Sequence, residues 1–215
     1  MNNHELLTTT LLYFTSFFTL INPLGSMPVF LTMTSKLSKA EKRKTAFKAV
    51  STAFITLLIF AFSGQMLFDF FGISVNSFRI VGGIIFFVMG YDMLNARFSS
   101  FKSIPHESVK EYVDDISVTP LGIPMIAGPG AITNSIVLME DSSSFLLKSI
   151  LIGTIVFTML LTLIIYLGGA KITRFLGDTG NKIMLKLMGL IVMVIAVEFF
   201  FAGLGPILQG IFNPA

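Results

Sequence analysis

Two short stretches decide the fold of this chain, Asn22-Pro23-Leu24-Gly25-Ser26-Met27-Pro28 and Gly128-Pro129-Gly130-Ala131-Ile132-Thr133. Each places proline and glycine inside an apolar segment that is otherwise long enough to cross a membrane as a helix. Proline removes a backbone donor and clashes with the preceding helical turn. A backbone interruption at membrane depth is tolerated only where it is buried in protein or lines a wet cavity. Two such interruptions therefore indicate spans that meet around a binding site.

The composition is that of an integral membrane protein. Of the 215 residues, 53% are hydrophobic and only 13% are charged, and the mean hydropathy is +0.83. A soluble domain carries about a quarter charged residues. The chain contains no cysteine, so we expect neither disulfides nor thiol chemistry.

Apolar stretches between charged ones predict six membrane spans, of which the first and the fourth are discontinuous because they contain the two motifs. Glycine pairs and single glycines within the spans, at 82–83, 168–169 and 189, indicate close helix packing. The predicted spans are Leu6–Thr34, Ala46–Phe68, Phe78–Ala96, Ile116–Met139, Leu146–Ala170 and Ile183–Phe212.

The basic residues predict the orientation of these spans. Thirteen of the fifteen Lys and Arg residues fall in the first, third and fifth loops, and only Arg79 and Lys148 fall on the other side. Cytoplasmic loops carry the excess of Lys and Arg in membrane proteins. We therefore expect both termini to lie outside the cytoplasm.

The two halves of the chain share features at a shift of a little over one hundred residues. Pro23 aligns with Pro129, and Asp92 aligns with Glu198, both at a shift of 106. Each half carries three spans, so the second copy enters the membrane from the opposite face. The sequence predicts an all-α polytopic protein with two inverted three-helix repeats, residues 1–97 and 116–215, which form one transmembrane domain around a cytoplasmic linker at 98–115.

Each interrupted helix leaves two unpaired ends at membrane depth. The half-helix after the break presents free N–H groups and the positive end of its dipole, which bind carboxylates. The half-helix before the break ends in free carbonyls, which accept from an ammonium group or coordinate a cation. A site with both ends suits a zwitterion such as an amino acid. The candidate substrate-binding residues are Asn22, Pro23, Gly25, Ser26, Met27, Gly128, Pro129, Gly130, Ala131, Thr133 and Asn134.

Several of these residues have a second interpretation. Asn22 either bonds the ligand or caps the second half-helix, and each motif could be a proline kink that binds no ligand. Methionines at 27 and 125 leave little room for a long side chain, which favours substrates of the size of glycine or alanine.

Glu198 and Asp92 are the candidate coupling groups, because ionisable side chains inside membrane spans are costly and often functional. Glu198 lies between Val197 and Phe199 in the sixth span, where burial would suit it to carry a proton. Alternatively, Glu198 lies near the outer interface or pairs structurally with another helix. Asp92 lies near the inner end of the third span, from which it can reach the interface.

The sequence leads us to expect a secondary transporter of small neutral amino acids that works by alternating access, with proton or cation coupling. It contains no HExxH or GxSxG motif and few metal-ligating side chains in the spans, so we expect no catalytic residue, metal or cofactor. We expect no nucleic-acid partner, and lipid surrounds the spans. The alternatives are a transporter or exporter of another solute or ion, and a scaffold subunit; a homo-oligomer is compatible with either.

The Asn22-Pro23-Leu24-Gly25 stretch with Pro28-Val29-Phe30, and the Gly128–Thr133 motif, resemble the signatures of the MarC family. The resemblance extends over essentially the whole chain, including its length, its six spans and its basic first loop. It implies a bacterial or archaeal inner-membrane protein. It also implies transport of glycine and alanine with cation or proton coupling, as described for one branch, with the site at the two motifs.

Overall fold

The described part of the chain is helical throughout. A computed structural model describes residues 3–95 and 109–212, with the backbone alone at residues 3, 170–176 and 178. In these ranges there is no β-strand, and a π-helical segment, Ser117–Ile126, precedes α6. The α-helices are α1 (Asn3–Ile21), α2 (Pro23–Met33), α3 (Lys39–Phe71), α4 (Val75–Leu94), α5 (Val109–Ile116), α6 (Pro129–Asp141) and α7 (Phe145–Phe212).

Within residues 3–95 and 109–212, five helical stretches are long and apolar enough to cross a membrane, and a sixth is formed if a bent pair is counted as one span. Val109–Ile126 and Pro129–Asp141 make this pair, which bends by 59°. α7 contains two of the stretches because Gly177 turns the backbone between them with φ 64°. The prediction of an all-helical membrane protein is thus confirmed. In chain order the five stretches are His4–Met33, Lys39–Phe71, Val75–Leu94, Phe145–Gly169 and Thr179–Phe212, called below the first, second, third, fifth and sixth spans.

The second span begins earlier than predicted, because the sequence caps it earlier. The Ser38 hydroxyl accepts from the Glu41 amide at 3.3 Å, and the Glu41 carboxylate accepts from the Ser38 amide at 2.7 Å. This reciprocal capping box starts the helix at Lys39. Most basic residues of the predicted first loop therefore lie in the first turns of α3, where the Lys48 ammonium is 2.8 Å from the Asp114 carboxylate of α5.

The predicted linker at 98–115 falls largely outside the described residues. From residue 109 onward it is helical, as α5. The predicted start of the fourth span at Ile116 corresponds to the junction between α5 and the π-helical segment, which contains Pro120 and Pro124. Non-helical backbone angles at Thr119 and Ile123, each one residue before a proline, interrupt this segment, as expected from the steric effect of proline on its predecessor.

Glycines bring the third and sixth spans into close contact. A Cβ atom placed on Gly90 would lie 2.8 Å from the carbonyl oxygen of Gly189, and one placed on Gly83 would lie 2.7 Å from that of Ala196. Such backbone approach requires small residues. The predicted packing role is confirmed for Gly83 and Gly189, whereas Gly168 has no atom near its Cβ position, and for it the prediction is wrong.

α2, the second half of the first span, lies at the centre of the bundle. α2 is buried on nearly every side, and its strongest contacts are with α7. A helix that is apolar all round is buried, and α2 has that composition. The interruption before α2 is therefore enclosed by protein.

Candidate functional site

Asn22 interrupts the first span. α1 ends at Ile21, α2 begins at Pro23, and the residue between them has φ 46° and ψ 63°. Asparagine enters this left-handed region more easily than other residues with a Cβ atom. Because Asn22 belongs to no helical turn, the carbonyls of Thr19, Leu20 and Ile21 have no helical donor. For Thr19 the reason is chemical, since its partner four residues on is Pro23, which has no N–H.

The Asn22 side chain caps α2. Its Oδ1 accepts from the Gly25 amide at 3.0 Å, and its carbonyl accepts from the amide of Ser26 at 3.0 Å. The capping interpretation is thus confirmed, and the Gly25 and Ser26 amides, expected as donors to an anion, are already engaged. A Cβ atom on Gly25 would lie 2.3 Å from Nδ2 of Asn22, so this position must be glycine for the cap to form.

The second interruption lies at Gly128, between the π-helical segment and α6. Gly128 has extended backbone (φ −78°, ψ 165°), and no side chain caps the helix that follows. The first helical bond is from the Ile132 amide to the Gly128 carbonyl at 2.9 Å. Pro129 has no N–H, and the amides of Gly130 and Ala131 have no acceptor among the described residues. These two amides form the positive end of the α6 dipole.

A buried, unpaired hydroxyl lies beside these amides. Thr133 is 2% exposed, and its Oγ1 has no hydrogen-bond partner among the described residues. Threonines in a helix commonly donate to the carbonyl four residues earlier, as Thr158 and Thr162 do here. Because helical side chains lean toward the N-terminus, the Thr133 hydroxyl covers the turn that contains Gly130. A buried unpaired hydroxyl is costly, so it is a natural partner for a bound group.

A cavity lies beside the first interruption. The cavity is narrow in this structure, with a volume of about 30 Å³, compared with the roughly 10–15 Å³ that one water molecule needs. Its polar side comes from the first span, and its apolar side comes mainly from the third and sixth spans. The lining residues are Leu20, Ile21, Asn22, Gly25, Ser26, Phe86, Met89, Met93, Met125, Val192 and Ile195.

Two lining side chains separate the cavity from the second interruption. Phe86 packs against Gly128, where an added Cβ atom would lie 2.3 Å from its Cζ. Leu20 packs against Gly130, where an added Cβ atom would lie 2.9 Å from its Cδ2. The first interruption therefore faces the cavity directly, and the second lies one side chain behind its wall.

The candidate substrate-binding residues fall into three groups according to their position relative to the cavity. Asn22, Gly25 and Ser26 line the cavity, and Gly128 and Gly130 lie behind Phe86 and Leu20. The other six surround these positions without lining the cavity, namely Pro23, Met27, Pro129, Ala131, Thr133 and Asn134.

Hydrogen bonds between α1 and α6 close one side of the site. The Ser16 hydroxyl donates to Oδ1 of Asn134 at 2.9 Å, and the Tyr13 and Ser142 hydroxyls are 3.2 Å apart. These pairs lie toward the face that the basic residues predict to be extracytoplasmic. On the other side the cavity reaches Met93, near the C-terminal end of α4.

The two candidate coupling groups do not line the cavity. Glu198 is exposed on the outside of the sixth span, among apolar residues such as Val194 and Phe201 that are also exposed. Asp92 is half-buried and is the immediate neighbour of the cavity residue Met93. The geometry thus places Asp92 closer to the site than Glu198.

Sequence reasoning missed the apolar wall of the cavity. Phe86, Met89, Val192 and Ile195 are ordinary residues of apolar spans, and nothing in their local sequence distinguishes them. The predicted repeat offers a usable signal, because its shift of 106 residues carries Phe86 to Val192 and Met89 to Ile195. Both members of each pair line the cavity.

Comparison with known proteins assigns the chain to a family. A model of the MarC family of integral membrane proteins matches residues 7–208. A UPF0056 membrane protein of Pyrococcus horikoshii is 39% identical over 93% of this chain and 96% of its own length. UPF0056 membrane protein YvbG of Bacillus subtilis is 39% identical over 89% of this chain and 92% of its own length. No solved structure matches the chain. The chain therefore belongs to the MarC family of integral membrane proteins.

Proposed function

We propose that this protein is a secondary transporter of small neutral amino acids, of the glycine and alanine class, rather than an enzyme. The observation that carries the proposal is the cavity between two interrupted spans, with unpaired carbonyls on one side and unpaired amides near the other. Main-chain groups of this kind recognise the two charges of an amino acid. Among the residues that the structure describes, no basic or acidic side chain lines the cavity, which suits a net neutral solute.

The geometry favours one orientation of the substrate. The ammonium group lies at the carbonyls of Leu20 and Ile21, two residues that line the cavity, because the amides at that break are engaged by Asn22. The carboxylate lies toward the amides of Gly130 and Ala131, which Leu20 covers in this structure, so binding requires the Leu20 side chain to move. The substrate side chain then meets the apolar wall of the third and sixth spans.

Alternating access between two inverted repeats is the proposed mechanism. The shift of 106 residues carries Gly83 to Gly189 and Gly90 to Ala196. It therefore exchanges the Gly83–Ala196 contact with the Gly90–Gly189 contact, as a pseudo-two-fold axis in the membrane plane requires. With both termini outside the cytoplasm of a bacterial inner membrane, as the basic residues predict, the hydrogen bonds between α1 and α6 lie on the outer side of the proposed site.

Uptake by purified protein in liposomes tests the proposal. We expect saturable uptake of labelled glycine and alanine that responds to an imposed proton or sodium gradient. Coupling through a carboxylate predicts that Asp92→Asn or Glu198→Gln removes the response to the gradient while exchange continues. No flux of any amino acid under any gradient would refute the proposal, and flux of an unrelated solute or ion would favour the alternative cargo.

A further inference from the structure

Phe86 can be compared with its counterpart in the second half of the predicted repeat. Its counterpart in the second half is Val192, at the shift of 106 residues, and both side chains line the cavity. The shift also carries Asn22 to Gly128. Asn22 lines the cavity directly, whereas the Phe86 ring covers Gly128. At the position that Phe86 holds in the first half, the second half therefore carries the smaller Val192 side chain.

The Phe86 ring is held in place on its far side. It is 8% exposed, and its Cζ occupies the space that a side chain at Gly128 would need, 2.3 Å from an added Cβ atom. Its near side forms part of the apolar wall with Met89 and Val192. A ring fixed in this way cannot move aside for a larger ligand without a shift of the backbone at Gly128.

We propose that Phe86 is the specificity-determining residue of the site, with a ring that limits the substrate side chain to about the size of a methyl group. The inference rests on the proposed function, because it assigns the substrate side chain to the wall that Phe86 dominates. It states that substrates of the size of leucine are excluded by this one ring, and that the backbone groups of the two interruptions recognise all neutral amino acids alike.

The test is a ligand-selectivity comparison on the purified full-length protein. Thermal stabilisation and dissociation constants are measured for glycine, alanine, valine and leucine with wild type, Phe86→Leu and Phe86→Ala. The matched control is Phe87→Ala, which removes the next aromatic ring of α4 from a position that is 43% exposed and does not line the cavity.

We expect the ratio of the leucine to the alanine dissociation constant to fall at least about tenfold in Phe86→Ala, since one methylene in a tight apolar pocket alters discrimination by roughly 10- to 200-fold. Phe86→Leu, which is the milder change for folding, should admit valine, and Phe87→Ala should keep the wild-type ratio. Selectivity is compared among ligands on the same variant, so a general loss of stability does not produce this result.

Two outcomes would overturn the inference, and they distinguish the role of Phe86 from the proposed function. If the wild type binds alanine and the Phe86 variants keep its selectivity, only the role of Phe86 is refuted. If the wild type binds none of the four amino acids, the proposed function fails, and the inference fails with it.

Discussion

Two substitutions of Asn22 distinguish its role as the cap of α2 from its left-handed backbone conformation. It caps α2 through Oδ1, 3.0 Å from the Gly25 amide, and it holds φ at 46°. Asn22→Ala removes the cap, which costs about 1 kcal/mol, and forces alanine into the left-handed region, which costs about 1–2 kcal/mol more. Asn22→Gly also removes the side-chain cap, but glycine adopts this backbone freely, and the loss should be only a few tenths of a kcal/mol.

Thermal unfolding of the detergent-solubilised protein measures both changes. A total of about 2–3 kcal/mol in a chain of this size lowers Tm by roughly 4–12 °C, and Asn22→Gly should lower it by about a quarter of that or less. Equal losses in the two variants would refute the left-handed conformation at Asn22. No loss in either would refute the cap, and with it the interruption of the first span.

Three further predictions follow from the packing, the site and the orientation. Gly90→Ala places a Cβ atom 2.8 Å from a carbonyl oxygen of the sixth span, so it should lower stability by about 1–3 kcal/mol. Gly168→Ala, in open space, should leave Tm unchanged or raise it, and similar losses in both would contradict the close packing. Gly130→Leu should abolish thermal stabilisation by glycine and alanine while circular dichroism still shows the folded helices; retained binding would move the site away from α6. Because the chain has no cysteine, Ser143→Cys and Lys39→Cys each give a single thiol. An impermeant maleimide should label Ser143→Cys in intact cells and Lys39→Cys only after permeabilisation, and the reverse pattern would refute the orientation.

The helix boundaries at the two motifs have a local cause in the sequence. Pro23 and Pro129 remove backbone donors wherever the chain places them, so both breaks lie where the motifs are. The capping box at Ser38 and Glu41 is equally local, and a closer reading of the sequence would have placed the start of α3 at Lys39.

The side of a helix that faces the bundle depends on contacts between distant parts of the chain, so the sequence predicts it less completely. Glu198 lies at membrane depth in the sixth span, but the side of the helix that faces the bundle depends on how α4 and α7 pack. The role of Phe86 likewise depends on the contact with Gly128, which is distant in the chain. Its position becomes visible in the sequence only through its partner in the repeat, Val192.

The central claim is that main-chain groups at the two interruptions bind both charges of one small zwitterion. Competition against bound labelled alanine tests it directly, with propionate and ethylamine as analogues that each carry only one of the two charges. We predict that unlabelled alanine and glycine displace the label and that neither analogue does so at a tenfold higher concentration. Displacement by propionate or ethylamine as effective as that by alanine would contradict the account.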